Sequence, residues 1–470
     1  MVDTFDDCLL ELGNPGRFRL LLYGLLLLNM CMVGPNFFLT LYTGYVPKHH
    51  CRLSPNSTFF LNESIPLIKV HGHYELDKCH LWVDPKNTTL GTTECLYGWE
   101  YEVEDGEWFV STEFDLVCHQ RYILSLGLSM QYTGIMIGGI IFGMLSDNIG
   151  RRKSCILAML GHSLFSIALA FTRSAVAYFS CAFMLGLFIQ GLHSCSYTMC
   201  TELFHPRQRT MIGVIIGLPW SLCIPIVAGI FWAVRSWNYV QLILGILSLV
   251  GVAYVYIPES LRWHIARGNI EQMWEISQRF ARFNKMKLRP TLYDDYVKIS
   301  AKMVNVEKSS ALKLLKQLFT SPRLRKYTII MGITYFTSNA IYFALGLAIP
   351  KLGDDGSINY LPVSIAILGN ACLTMSFGGL GLYISELFPT LLRSVGLGFC
   401  VTLGRIGSMS SPQILLLDMI WELLPITCLT TLGITSAVLI LLLPETNNKP
   451  LPDSVADANK LDRTNTNKTS

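Results

Sequence analysis

The chain has 470 residues, 51% of them hydrophobic and 15% charged, with a net charge of +4. A soluble protein carries about a quarter charged residues. Here the apolar residues gather in runs of roughly twenty, the length that crosses about 30 Å of hydrocarbon. A soluble enzyme, a nucleic-acid binder and a disordered chain are excluded together.

Ten membrane helices are expected, at 20–46, 122–145, 154–172, 176–199, 211–233, 238–257, 327–350, 361–385, 395–417 and 423–443. Helices are the element of choice because a backbone facing lipid must satisfy its own hydrogen bonds. The first span follows an acidic stretch (Asp3, Asp6, Asp7, Glu11) without a basic n-region or a small-residue cleavage site, so a cleaved signal peptide is not expected. The expected organisation is an N-terminus (1–19), a six-span half (20–257) that includes a polar segment at 44–120, an inner loop (258–326), a four-span half (327–446) and a polar, disordered tail (447–470).

Charge sets the orientation. Segment 44–120 holds 5 Lys/Arg and 12 Asp/Glu, whereas 259–326 holds 15 and 6. The short connections 146–153 (SDNIGRRK) and 203–210 (LFHPRQRT) are also basic. Basic loops stay cytoplasmic, which puts 44–120 outside and both termini inside. The outer segment carries sequons at Asn56, Asn62 and Asn87 and cysteines Cys51, Cys79, Cys95 and Cys118, features of the oxidising, glycosylating side. Four cysteines allow three pairings, and all three stay open. A further sequon, Asn467, falls on the inner side and should stay bare. In the inner loop, Met273, Ile276 and Phe280, then Ala311, Leu312, Leu315 and Leu318, recur with a helical period, as in amphipathic helices lying against the membrane or the bundle.

A repeat organises the spans. TELFHPRQR (201–209) and SELFPTLLR (385–393) each place an arginine seven residues after an acid, Glu202 to Arg209 and Glu386 to Arg393. Pro258-Glu259 and Pro444-Glu445 follow at nearly matching distances. Two parallel halves related by an axis along the membrane normal are the architecture of the major facilitator transporters. Between spans two and three, Gly143-Met-Leu-Ser-Asp147-Asn148-Ile-Gly150-Arg151-Arg152-Lys153 resembles the facilitator loop signature, with Asn148 where a basic residue is usual. Asp147 precedes Glu202 by 55 residues, and the same step back from Glu386 lands on Met331, inside the first span of the second half. No second copy of the loop fits there, so a 6+4 all-α bundle is expected, lacking two spans of the usual 6+6.

Ser111-Thr-Glu-Phe-Asp-Leu-Val-Cys118, the GRR loop and Pro258-Glu-Ser-Leu-Arg-Trp263 resemble the organic cation, carnitine and organic anion transporter branch of the facilitators (solute carrier family 22). The resemblance covers about 1–350 and 361–453, with four outer cysteines where six are usual. It implies that Asp147, Arg151, Arg152, Glu202, Arg209, Glu386 and Arg393 gate the inner side. It also implies that Arg405, where cation carriers have an aspartate, selects anions or zwitterions. An arginine at membrane depth usually serves function, and its planar fork suits a carboxylate; pairing with Asp418 or Glu422 is the structural alternative. Tyr342 and Phe343 match an aromatic pair of the substrate cavity, as do Asn36, Phe37 and Phe38, with Asn29 one stripe earlier. Phe377 is a further aromatic candidate. A cavity lysine of the family would fall in the missing spans. Gln190, His193, Ser194 and Tyr197 share one face of the fourth span and could line a wet path or bond between helices.

The function expected is movement of organic anions or zwitterions across the plasma membrane by alternating access, as exchanger or facilitator. A non-transporting truncated form, or a membrane partner of a complete carrier, is the alternative. The expected partners are a small organic ion and the bilayer. No glycine-rich nucleotide loop, metal-spaced cluster or catalytic triad is recognisable, so no cofactor, metal or enzymatic activity is expected.

Overall fold

The computed structural model describes residues 8–9, 11–12, 16–55, 59–70, 73–304, 311–352, 360–389 and 392–446. A helix lies at each of the ten apolar stretches. Six precede the inner loop: α1 (Arg17–Thr43), α2 (Arg121–Ile149), α3 (Arg151–Ala170), α4 (Ala175–Glu202), α5 (Pro206–Val234) and α6 (Trp237–Ser248). Four shorter helices fill that loop: α7 (Leu261–Arg267), α8 (Ile270–Asn284), α9 (Leu292–Val304) and α10 (Ala311–Thr320). Then come α11 (Pro322–Leu352), α12 (Tyr360–Leu387), α13 (Arg393–Leu415) and α14 (Leu424–Leu441). Among the described residues, eight helices are long and apolar enough to cross a membrane by length and composition. The two others at these positions are α6, which is shorter and continues as a 3-10 segment (Leu249–Tyr256), and α13, which carries Arg405 among serines and glycines.

Close helix approach in the first half depends on glycine. A Cβ at Gly134 or Gly138 of α2 would sit 2.0 Å from the carbonyl oxygen of Phe183 or 2.3 Å from that of Leu187 on α4. Without those side chains the two backbones meet directly, the usual way to bind helices where no hydrophobic effect drives them together. α12 and α14 are packed differently. Only 11% of the apolar stretch of each is covered by other protein, against 39% for α4 and 56% for α11.

The inner helices lie against the bundle. Met273, Ile276 and Phe280 of α8 are buried in the core of the first half, where the Phe280 ring meets Phe18 of α1 at 4.7 Å. Leu318 of α10 joins the core of the second half with Leu324, Tyr327 and Ile384. The side chains of Ala311 and Leu312 lie outside the described set.

The outer segment folds into three two-stranded antiparallel ribbons: β1 (His49–Cys51) pairs with β6 (Trp99–Tyr101), β2 (Leu67–Val70) with β3 (His73–Leu76), and β4 (His80–Trp82) with β5 (Thr92–Glu94). Of the three pairings open to its cysteines, the one adopted is Cys51–Cys95 with Cys79–Cys118. Trp108 ties this domain to the start of α6 through two backbone bonds, to the carbonyl of Arg235 at 3.0 Å and from the amide of Trp237 at 3.1 Å. Asn62 and Asn87 are exposed; Asn56, Asn467 and all of 447–470 lie outside the described residues.

The glycine contact makes a direct prediction. Gly138→Val should overpack α2 against α4 and cost about 1–3 kcal/mol, read as a lower melting temperature of the detergent-purified protein. An unchanged melt would show that the two helices do not need that approach.

Candidate functional site

Arg405 sits on α13 and faces the first half. Its Nη2 donates to the Oε1 of Gln190 on α4 at 3.2 Å, and the Gln190 Nε2 donates to Ser194 Oγ at 3.0 Å. Among the described residues Arg405 forms no ion pair. Asp418, one of the two acids that sequence offered as its structural partner, instead pairs with Arg121 at 2.7 Å. One turn along the α4 face, the rings of His193 and Tyr197 stack with centroids 6.4 Å apart. The polar stripe of the fourth span therefore meets the arginine across the boundary between the halves.

An aromatic cluster lies beside it. Phe343 of α11 packs against Phe37 of α1 at 5.7 Å and against Tyr132 of α2 at 5.0 Å. Tyr342 packs against Phe343 at 5.2 Å and against Phe377 of α12 at 5.8 Å. Arg405 is within electrostatic reach of both Tyr132 and His193, so the cluster and the polar stripe form one site. Tyr132 is the residue that sequence reasoning missed. A tyrosine next to Gln131 in the middle of an apolar span was the available signal.

Some expected residues face elsewhere. Asn36, 2% exposed, accepts from Ser166 Oγ at 2.9 Å and from Gln241 Nε2 at 2.8 Å, joining α1, α3 and α6. Asn29 donates to Ser196 Oγ on α4 at 2.8 Å. Both serve helix contacts within the first half. Phe38 is buried against Phe37.

At the inner end, Arg151 reaches Asp147 at 3.0 Å and Glu202 at 3.3 Å. Glu259 accepts the backbone amides of Arg151 at 2.9 Å and Arg152 at 3.1 Å, placing a carboxylate at the positive end of α3. Gly150 makes that possible: its φ is +106°, and a Cβ there would lie 2.3 Å from the Glu259 carboxylate. Ser260 Oγ donates to Glu202, and Trp263 Nε1 donates to the Asp147 carbonyl at 3.0 Å. The loop signature and the PESLRW stretch are thus one polar knot, and its ion pairs tie elements of the first half to one another. In the second half, Thr446 Oγ1 donates to Glu386 at 2.6 Å, the counterpart of the Ser260–Glu202 bond. Two Arg393 nitrogens, Nε and Nη2, are buried without a partner among the described residues. The Arg209 side chain lies outside the described set.

The halves meet at the outer end instead. Ser129 Oγ of α2 donates to the Met409 carbonyl of α13 at 2.7 Å, Gln413 Nε2 donates to Ser129 Oγ at 3.1 Å, and Arg121 pairs with Asp418 beyond them. Also outside, His49, Cys79 and Cys118 bring ligand atoms within 4.8 Å of one another. The two sulfurs are bonded to each other, so they offer no thiolate to a metal. Burial pushes the His49 imidazole below its ordinary pKa, opposed by the Pro47 carbonyl.

The family model described as Major Facilitator Superfamily matches residues 113–452. Solute carrier family 22 member 6 of Bos taurus is 27% identical, covering 99% of this chain and 96% of its own. Organic anion transporter 3 of Oryctolagus cuniculus is also 27% identical, covering 97% and 93%. Among solved structures, the inward-open xylose transporter XylE from E. coli aligns with a TM-score of 0.58 at 14% identity, over 92% of this chain and 98% of that one. That likeness concerns the fold.

The inner knot predicts unequal costs for its two acids. Glu202, whose side chain is 12% exposed, should cost about 1–3 kcal/mol as Glu202→Gln. Asp147, 71% exposed, should cost under about 1 kcal/mol as Asp147→Asn. Melting of the two purified variants checks the order, and equal costs would refute it.

Proposed function

From the premise that this chain belongs to the Major Facilitator Superfamily, a family of multi-pass membrane transporters and not enzymes, we propose that it carries organic anions, or zwitterions such as carnitine, across the plasma membrane. Arg405 would hold the carboxylate while Phe37, Tyr132, Tyr342, Phe343 and Phe377 pack the organic body. The observation that carries this reading is a guanidinium between the halves whose hydrogen-bond partner among the described residues is the neutral amide of Gln190, beside an aromatic cluster drawn from both halves. A guanidinium held only by a neutral acceptor keeps most of its charge for a guest. The relatives named as organic anion transporters support the same substrate class.

Alternating access fits the distribution of contacts. The halves are joined by side-chain bonds at the outer end, while the inner ion pairs stay within one half, the pattern of a state open to the cytoplasm. Rocking about the Arg405 level would exchange one seal for the other, with both termini inside. An anion entering the cell works against about 2.3 kcal/mol per 100 mV of membrane potential, which favours exchange for an internal anion over uniport.

Two observations support a 6+4 arrangement. The alignment with the bovine relative runs over 533 positions, more than the 470 this chain possesses, so part of that relative faces a gap here. α12, the counterpart of α4, lacks the cover that α2 and α3 give α4. The same exposure favours a second reading, a non-transporting membrane protein whose second half no longer closes.

Uptake of labelled succinate and carnitine by the full chain in proteoliposomes separates the two. Saturable uptake is expected for a carrier, with Arg405→Gln lowering anion uptake at least about tenfold through loss of the charge-assisted bond. Folded, oriented protein without saturable uptake of any organic anion or zwitterion would establish the second reading.

A further inference from the structure

A cavity of about 730 Å³ opens between the ribbons of the outer domain and the outer ends of the membrane helices. That is within the range of sites for small organic ligands, about 300–1,000 Å³. Its charge is unexpected for its setting. Segment 44–120 has 12 acids against 5 basic residues, yet Lys48, Lys78 and Arg121 line the cavity and only Glu94 and Asp418 oppose them. Several of the segment's acids are engaged away from it: Glu104 pairs with Arg235 at 2.9 Å, Glu113 with Arg173 at 3.7 Å, and Asp115 accepts from the Tyr101 hydroxyl at 2.8 Å. An acidic domain has turned a cationic wall inward.

The floor of the cavity is the Arg121–Asp418 pair, at 2.7 Å the only ion pair between the two halves among the described residues. The two side chains are 26% and 30% exposed, so a solute in the cavity can reach them. Arg121 also roofs a smaller void of about 40 Å³ beneath, walled by Ser125 and Leu128 of α2 and by Leu347 and Pro412 of the second half. The pair therefore stands between the outer cavity and the boundary of the halves. We propose that this cavity is an entry site for the carboxylate of an incoming organic anion, and that the bound carboxylate competes with Asp418 for Arg121 and so releases the outer seal.

The chemistry requires only ligand exchange at a guanidinium. Arg121 presents five N–H donors, and Asp418 takes one of them at Nη2. An arriving carboxylate, held by Lys48 and Lys78, can engage the remaining donors in a bidentate pair. It then places a second negative charge beside Asp418, and the repulsion is relieved when the halves part. The inference rests on the anion-carrier reading for its purpose, while the binding itself is local.

The experiment uses the full chain in nanodiscs, in an Arg405→Gln background that silences the central site. Succinate titrated calorimetrically should bind, and Lys48→Gln with Lys78→Gln should weaken that binding about tenfold, as should raised salt. No binding in the Arg405→Gln background, or binding undiminished by the lysine changes, overturns the entry site. The gate is read separately, as labelling of Ser125→Cys by a membrane-impermeant maleimide above that of the parent chain, with Arg405 intact. Succinate should speed labelling, and Asp418→Asn should speed it without succinate, with Asp418→Glu restoring the slow rate. Bound succinate that leaves the labelling rate unchanged overturns the gating step. Should Asp418→Asn fail to fold by its melt, the succinate effect on the unsubstituted pair still decides. Entry-site binding without uptake sinks the carrier reading and leaves the site standing; uptake without entry-site binding does the reverse.

Discussion

A guanidinium in the middle of a helical bundle cannot be left to itself. Arg405 carries a charge that the translocation machinery and the lipid both resist, and its protein partner is the amide oxygen of Gln190. A carboxylate there would cancel the charge at close to fixed cost, since breaking a buried pair is expensive and a guest would have to break it. The amide gives one hydrogen bond and no compensating charge. Because α13 provides the arginine and α4 the amide, this bond also spans the two halves. The aromatic rings around it come from α1, α2, α11 and α12, so both halves contribute to the cluster.

The two ends of the bundle solve different problems. At the inner end, Asp147, Arg151, Glu202, Glu259 and Ser260 fasten α2, α3, α4 and the start of α7 into one rigid unit. At the outer end, Ser129, Gln413 and the Arg121–Asp418 pair join opposite halves. These are few and partly wet contacts, and contacts of that kind can open and close. Strength lies within each half, and weakness lies between them.

Much of this was legible in the sequence because it follows from one-dimensional rules. Spans announce themselves by length, and the helices of the 258–326 loop by the period that buries Met273, Ile276 and Phe280. What escaped was direction around a helix. Asn36 and Phe37 are neighbours in sequence, yet Phe37 reaches the aromatic cluster while Asn36 turns to Ser166 and Gln241, because a step of one residue rotates the side chain by about 100°. Tyr132 escaped for the same reason, since nothing linear connects it to Phe343. Likewise the charges of the loop signature named the members of the inner knot, but not that their partners would come from the first half and the start of the following loop rather than from the second half.

The exposed flank of the second half raises the question of whether such a bundle can stand in lipid. α12 and α14 place hydroxyl groups on the uncovered side, which in a soluble protein would demand a partner. Here they have one already: Ser376 donates to the carbonyl of Cys372 at 2.9 Å, and Thr435 to that of Thr431 at 2.7 Å. Each hydroxyl folds back on its own helix and leaves a hydrocarbon-compatible surface. Since lipid tails are as apolar as leucine, no hydrophobic force penalises the bare face either. The second half keeps a glycine-mediated grip between α11 and α13, where a Cβ at Gly407 would sit 2.2 Å from the Phe336 carbonyl oxygen, but none of the α12 glycines makes such an approach. α12 keeps its place through α11 and the Tyr342–Phe377 contact, so the aromatic cluster is itself part of what holds the second half together.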